Sequence, residues 1–244
     1  MLFFRSCFIF HFTGYKKIFE INKKKTTGRI KPKMIILGVD IGTTHTKVCL
    51  LDDTSENAFK IFRQQNHHGY DSLSRQQQQL PLGYKEQDPV SLVQSIDTCL
   101  SDFGEEKISR VAVTGQMHGV ILWKPKIGEI IGNSSHGDSL ISLMRNTVEK
   151  HSNLVTWEDQ RCDQNFLKTL PKSGCHSDVA TGYGSASLLW LAAHQKLEDY
   201  TMCGTIMDFL VWLMTQSDRV EMTVHNAKSW GYFDEKNMIW ETDL

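Results

Sequence analysis

The chain has 244 residues, 40% of them apolar and 23% charged, with a formal net charge of −1. This is enough length for a sizeable core and an ordinary composition for a soluble globular protein. The charge is uneven: Arg5, Lys16, Lys17, Lys23, Lys24, Lys25, Arg29, Lys31 and Lys33 stand against Glu20 alone in residues 1–33, so the remainder is acidic. That balance argues against nucleic acid as the main partner, because phosphate-backbone binding needs a basic face.

Leu2 to Phe12 is apolar but interrupted by Arg5, Ser6 and His11, and lysines follow it. It lacks the basic start and small-residue cleavage site of a secretory signal, and no apolar run in the chain is long enough for a membrane span. Residues 1–33 are expected to be a disordered extension ahead of a body that starts at Met34. Cys7, Cys49, Cys99, Cys162, Cys175 and Cys203 are scattered without zinc spacing, which fits a reducing compartment and a cytoplasmic body.

An apolar run, Met34 to Val39, leads into Asp40-Ile41-Gly42-Thr43-Thr44, and a β-patterned run from Thr46 to Leu51 follows. The pattern predicts a hairpin whose turn carries a carboxylate, a glycine and two hydroxyls. Gly42 has no Cβ, so the backbone there can adopt positive φ and come close to an anion, with turn N–H groups and the Thr43 and Thr44 hydroxyls as donors. Asp40 would sit near phosphates only with a cation between them, and magnesium suits that role. The other reading is an ordinary hairpin with a polar turn.

Ala58 to Arg63 supplies a third strand, and Gln64 to Tyr84, with His67, His68 and a glutamine run, reads as a solvated loop. Asp88-Pro89 opens a helix as N-cap and first helical residue, and Val90, Val93, Ile96, Leu100 and Phe103 follow at helical spacing. Ile108 to Thr114 is a buried strand, broken by Gly115 to Gly119 before Val120 to Trp123 resumes. Lys124 to Ser152 reads as an inserted loop with a helical piece from Ser139 to Lys150. Leu154 to Trp157 is a short strand, Cys162 to Leu170 has helical spacing, and Ser185 or Ser187 caps the next helix. Thr205 to Met214 is a further helix, and Met222 to Phe233 is β-rich in character.

Ligands of open α/β sheets gather outside strand ends. Four polar clusters fall at such points: Asp40 to Thr44, Gln116 to Gly119, Trp157 to Arg161, and Gly182 to Ser185. Together they offer carboxylate, amide, imidazole and guanidinium groups and a flat indole, which is equipment for a polyhydroxylated small molecule. Taken singly, Met117 and Trp157 read as core residues, His118 as a structural histidine, and Asp159 with Arg161 as a surface pair. No Gly-Lys-Ser/Thr phosphate loop, Rossmann glycine set or nucleophile elbow is present.

The segments Gly38 to Thr44, Gly115 to Gly119 and Trp157 to Arg161 occur in an order and spacing that resemble the FGGY carbohydrate kinases. Leu154 to Trp157, Val179 to Gly184, Gly204 to Ile206 with Asp208, and Asn226-Ala227 with Ser229 to Phe233 resemble the sedoheptulokinase subgroup. Xylulokinases share the Gln-Met-His element but match these later segments less well. The resemblance covers Met34 to about Leu244. It implies an α/β, ribonuclease H-like (actin-like ATPase) domain with a mixed sheet flanked by helices. The implied activity is ATP-dependent phosphorylation of a ketose, with ATP and Mg2+ as cofactors, a small sugar as partner, and neither nucleic acid nor membrane.

Carried over by position, Asp40 organises metal (through a Mg-bound water) and phosphate, and Gly42, Thr43 and Thr44 form the phosphate-facing turn. Gln116, Met117, His118, Trp157, Asp159 and Arg161 would contact or flank the sugar. Gln160 stands where relatives often have Gly, and Val224 where many have Asp. The family's general base is an Asp in a Gly-Asp segment beyond Phe233, which the chain ends before. The expectation is therefore an incomplete N-terminal domain, inactive alone. A xylulokinase-like or other sugar kinase and a non-catalytic sugar-binding fragment are the alternatives.

Overall fold

A computed structural model describes residues 8–11, 34–52, 59–66, 80–103, 108–126, 139–174, 179–195 and 197–241. The loop with His67 and His68 lies outside them. The strands are β1 (Phe8–His11), β2 (Ile35–Ile41), β3 (His45–Asp52), β4 (Phe59–Asn66), β5 (Glu86–Gln87), β6 (Ile108–Gly115), β7 (Ile121–Pro125), β8 (Val148–His151), β9 (Leu154–Val155), β10 (Met202–Gly204), β11 (Phe233–Asp234) and β12 (Ile239–Trp240). The helices are α1 (Pro89–Leu100), α2 (Leu140–Thr147), α3 (Gln164–Leu167), α4 (Gly184–His194), α5 (Ile206–Thr215) and α6 (Val224–Trp230).

The main sheet has the order β1-β6-β2-β3-β4. β2 and β3 form the expected hairpin, and β6 returns parallel to β2 after α1, with Ile41 opposite Gly115. Two parallel strands thus end side by side, and the chain leaves both ends into polar segments. β1, from within the segment expected to be a disordered extension, pairs antiparallel with β6. The rest of that segment lies outside the described residues.

Alternation decides the sheet's faces. Ile35, Leu37, Val39 and Ile41 of β2, with Val48 and Leu50 of β3 and Val111 and Val113 of β6, are buried in one core with α1 and α5. The intervening residues, Asp40 and Lys47 among them, lie on a half-buried face. Asp88 caps α1, its carboxylate accepting from Val90 N and Ser91 N. Asp97, on α1, accepts from Leu140 N at 2.9 Å and Ile141 N at 2.8 Å and so fixes the start of α2. Among the described residues no helix is long and apolar enough to cross a membrane.

Several boundaries depart from the sequence pattern. The helix opening at Ser139 ends at Thr147, because Val148–His151 pairs with β7 instead. The Cys162 to Leu170 pattern yields only the short α3, capped by Asp163. Tyr183, not a serine, is the N-cap of α4 and makes no side-chain cap bond. The region read as β-rich after Met222 is the helix α6: Thr223 accepts from Asn226 N, and the buried Asn226 is tied to Thr205 and Asp208. Tertiary burial of one polar side chain there overrides β propensity.

Candidate functional site

The turn after β2 is tighter than expected. β2 runs through Asp40 to Ile41, so the carboxylate stands in the strand rather than the turn. Gly42 is not among the positive-φ glycines; its N–H donates to His45 O at 2.9 Å, and a Cβ there would meet that oxygen at 3.0 Å. Close approach, not left-handed backbone, is what glycine permits here, and its N–H closes the turn instead of facing outward. Asp40 is 41% exposed and only loosely paired with Lys47 Nζ at 3.8 Å.

Beside it, β6 ends at Gly115, where a Cβ would sit 2.6 Å from Ile41 O, and Gln116 N donates to that same oxygen at 2.8 Å. The two strand ends are thereby locked together. Gln116 Nε2 donates to Gln87 Oε1 at 2.8 Å, and Gln87 Nε2 donates to Thr43 O at 2.7 Å. The polarity of this chain is fixed from one end, since a backbone carbonyl only accepts. It leaves Gln116 Oε1 as a buried acceptor with no partner among the described residues. Trp157 Nε1 donates to Thr43 Oγ1 at 3.1 Å, although the indole is half exposed.

Next in the chain, His118 adopts φ +68°, and Gly119 N bonds Met117 O at 2.8 Å across it, a three-residue turn that is strained for a residue with a side chain. His118 Nδ1 lies 2.8 Å from Ser229 O, so that nitrogen carries the proton, and in the neutral ring Nε2 is the acceptor. The imidazole stacks on Tyr183, with centroids 4.9 Å apart and planes 6° from parallel. Met117 packs partly buried against the main core. Gly182, at φ +82°, accepts the backbone of Trp157 where any Cβ would come within 2.2 Å of Trp157 O.

All four sequence clusters therefore meet, though not every residue in them faces outward. Asp159 and Arg161, weighed from sequence as a surface pair or a sugar contact, are buried. Arg161 Nε donates to Asp159 Oδ1 at 2.8 Å, and its NH2 group donates to Asp159 Oδ2 at 3.0 Å and Glu86 Oε1 at 2.5 Å. Lys85 N donates to Asp159 Oδ2 at 2.6 Å, and the guanidinium lies over the rings of Tyr84 and Trp190. Burial by itself pulls the Arg161 pKa down, but the bonds to Asp159 and Glu86 outweigh it and the net direction is up. The reading as a surface pair is corrected: this is an internal clamp that ties residues 84–87 to the segment from Leu154 to Arg161.

Glu86 and Gln87 were missed in the sequence because Asp88-Pro89 beside them was read only as a helix start. The signal was their place two residues before a helix N-terminus, on a short strand that pairs Glu86 with Val155 and Gln87 with Leu154. Asp208, fully buried, completes a capping box with Thr205, and burial pushes its pKa up to about 6.

Asp40 also fits what a hard cation needs. One accessible carboxylate is enough for magnesium when phosphate oxygens and water complete its shell. Among the described residues no group of three or more His, Cys, Asp or Glu side chains could hold a metal alone.

Residues 35–244 match the FGGY family of carbohydrate kinases, N-terminal domain. The sedoheptulokinase of Mus musculus is 33% identical over 220 residues, covering 86% of this chain and 44% of that protein, and the sedoheptulokinase of Homo sapiens is 33% identical over 218 residues with the same shares. The chain thus spans less than half the length of these relatives. Among solved structures, a Plasmodium falciparum glycerol kinase with ADP superimposes with a TM-score of 0.60 at 19% identity, over 86% of this chain and 40% of that one. A ligand-bound xylulose kinase from Lactobacillus acidophilus gives 0.57 at 18% identity, over 86% and 39%. The fold is the mixed α/β, ribonuclease H-like (actin-like ATPase) class.

Proposed function

The chain belongs to the FGGY family of carbohydrate kinases, and from that membership we propose that residues 34–244 are the sugar-holding domain of a ketose kinase. The reaction proposed for the whole protein is transfer of the γ-phosphate of ATP to sedoheptulose, giving sedoheptulose 7-phosphate. The cytoplasm is its proposed place of action, consistent with Cys49, Cys99, Cys162 and Cys203 all being free thiols.

One observation carries the reading: the hydrogen-bonded run from Gln116 through Gln87 to Thr43 and Trp157, which ties the turn after β2 to the two segments proposed to meet the sugar. Phosphoryl transfer asks the protein chiefly for positioning and charge stabilisation. His118, with its proton held at Nδ1 by Ser229 O, offers Nε2 to a sugar hydroxyl. Gln116, buried beneath the turn, would set the backbone of Met117 and His118 rather than meet the sugar through its side-chain oxygen. Trp157 exposes an aromatic face beside them. Asp40 would hold Mg2+, which when bound neutralises phosphate charge.

The relatives' names favour sedoheptulose over shorter substrates. Because the chain spans 44% of those relatives, binding is the property to measure on it. Calorimetric titration of the purified chain with sedoheptulose, xylulose and glycerol is expected to give the tightest binding with sedoheptulose. Tighter binding of xylulose or glycerol, or no binding of any of the three by folded protein, would overturn the assignment.

A further inference from the structure

We propose that Trp157 and Gln87 are positioning residues that hold the Thr43 side chain and carbonyl so that its hydroxyl can donate to a phosphate oxygen, an inference that rests on the kinase reading proposed above. Thr43 is gripped from outside its own turn at both of its oxygens. The indole N–H of Trp157 can only donate, so at 3.1 Å Thr43 Oγ1 is its acceptor. The amide of Gln87 donates to the Thr43 carbonyl at 2.7 Å.

Gln87 cannot turn away. It is fully buried, and its Oε1 is already taken by Gln116 Nε2. With one lone pair of Oγ1 engaged by the indole and the carbonyl engaged by Gln87, Thr43 still has its hydroxyl proton to give. Its neighbour differs. The Thr44 hydroxyl shares a 2.7 Å bond with His45 Nδ1 whose direction depends on the imidazole tautomer. Of the two threonines, Thr43 is the one whose Oγ1 has a partner that can only donate. Preorganised donors of that kind are worth most where anionic oxygen is bound.

Trp157 is thereby given a second task beside the aromatic surface its ring offers. It is 48% exposed, so burial does little to hold it; the bond to Thr43 and the backbone seat on Gly182 do.

The test is titration of the 244-residue chain with inorganic phosphate and, separately, with sedoheptulose. Trp157→Phe keeps the ring face and removes the N–H, Thr43→Val removes the hydroxyl, and Thr43→Ser restores it. Phosphate affinity is expected to fall about three- to tenfold in Trp157→Phe and in Thr43→Val, and to recover in Thr43→Ser. The double variant should be no weaker than the worse single one, since both act through one bond. Gln87→Met should lose phosphate affinity without gaining any for sugar. Phosphate binding by Trp157→Phe equal to wild type overturns the inference. So does a wild-type chain that binds no phosphate. The kinase reading stands or falls separately, on the sedoheptulose titration of wild type.

Discussion

Two halves of one five-residue segment behave oppositely. Trp157 is half exposed and held by a single neutral hydrogen bond, whereas Asp159 and Arg161, two and four residues on, are buried and fully paired. The difference teaches that a polar segment at a strand end is not uniformly functional surface. Asp159 and Arg161 fasten residues 84–87 in place, while the aromatic residue beside them stays half exposed.

The sharpest way to break the contrast is Arg161→Met. It removes one member of a buried pair and strands the carboxylates of Asp159 and Glu86, so a loss of about 3–5 kcal/mol is expected in urea unfolding. A loss under about 1 kcal/mol would return the pair to the status of a surface contact.

A second buried carboxylate sharpens the role of charge. Asp208 has only neutral partners, Thr205 and Asn226, and its pKa is raised from 3.8 to about 6, mainly by burial. An acid with a raised folded pKa holds its proton more tightly in the folded state. Its stabilising contribution is full below about pH 3.8 and is lost as the pH rises through about 6. Between those limits wild type should lose stability relative to Asp208→Asn by about 3 kcal/mol at most, read from urea midpoints across pH. Parallel pH profiles for the two proteins would count against it.

Gly182→Ala is expected to cost about 1–3 kcal/mol, because the backbone sits at φ +82° and the new methyl meets Trp157 O. Thermal unfolding checks the size, and a lowered sedoheptulose affinity checks that Trp157 has moved. The smallest effect belongs to Trp157→Phe, whose folding stability should change by about 0.5 kcal/mol or less. A larger drop would mean that the exposed half of the segment is structural too.

Much of this was legible in the sequence where one local rule governed the outcome. Alternation in Ile35–Ile41 fixed the hairpin's faces, Asp88-Pro89 fixed a helix start, and four polar clusters at strand ends marked the region that assembles. What the sequence concealed depends on distant partners. Nothing local shows that Arg161 meets Glu86, that Gln87 reaches Thr43, or that Asn226 is pulled into the core to make α6 a helix. At Gly42 the sequence left open positive φ and close approach together; the His45 carbonyl, a contact no local pattern shows, makes close approach the requirement.

The most direct test of the site as a single unit is an amide and indole chemical-shift map of the chain titrated with sedoheptulose. Coincident, saturable changes are expected at Thr43, Gln116 to Gly119, Trp157 and Tyr183, with one dissociation constant, and little change at Asp159 and Arg161. Changes confined to one of those clusters, or centred elsewhere on the fold, would contradict the proposal that Thr43, Gln116 to Gly119, Trp157 and Tyr183 respond to the sugar as one site.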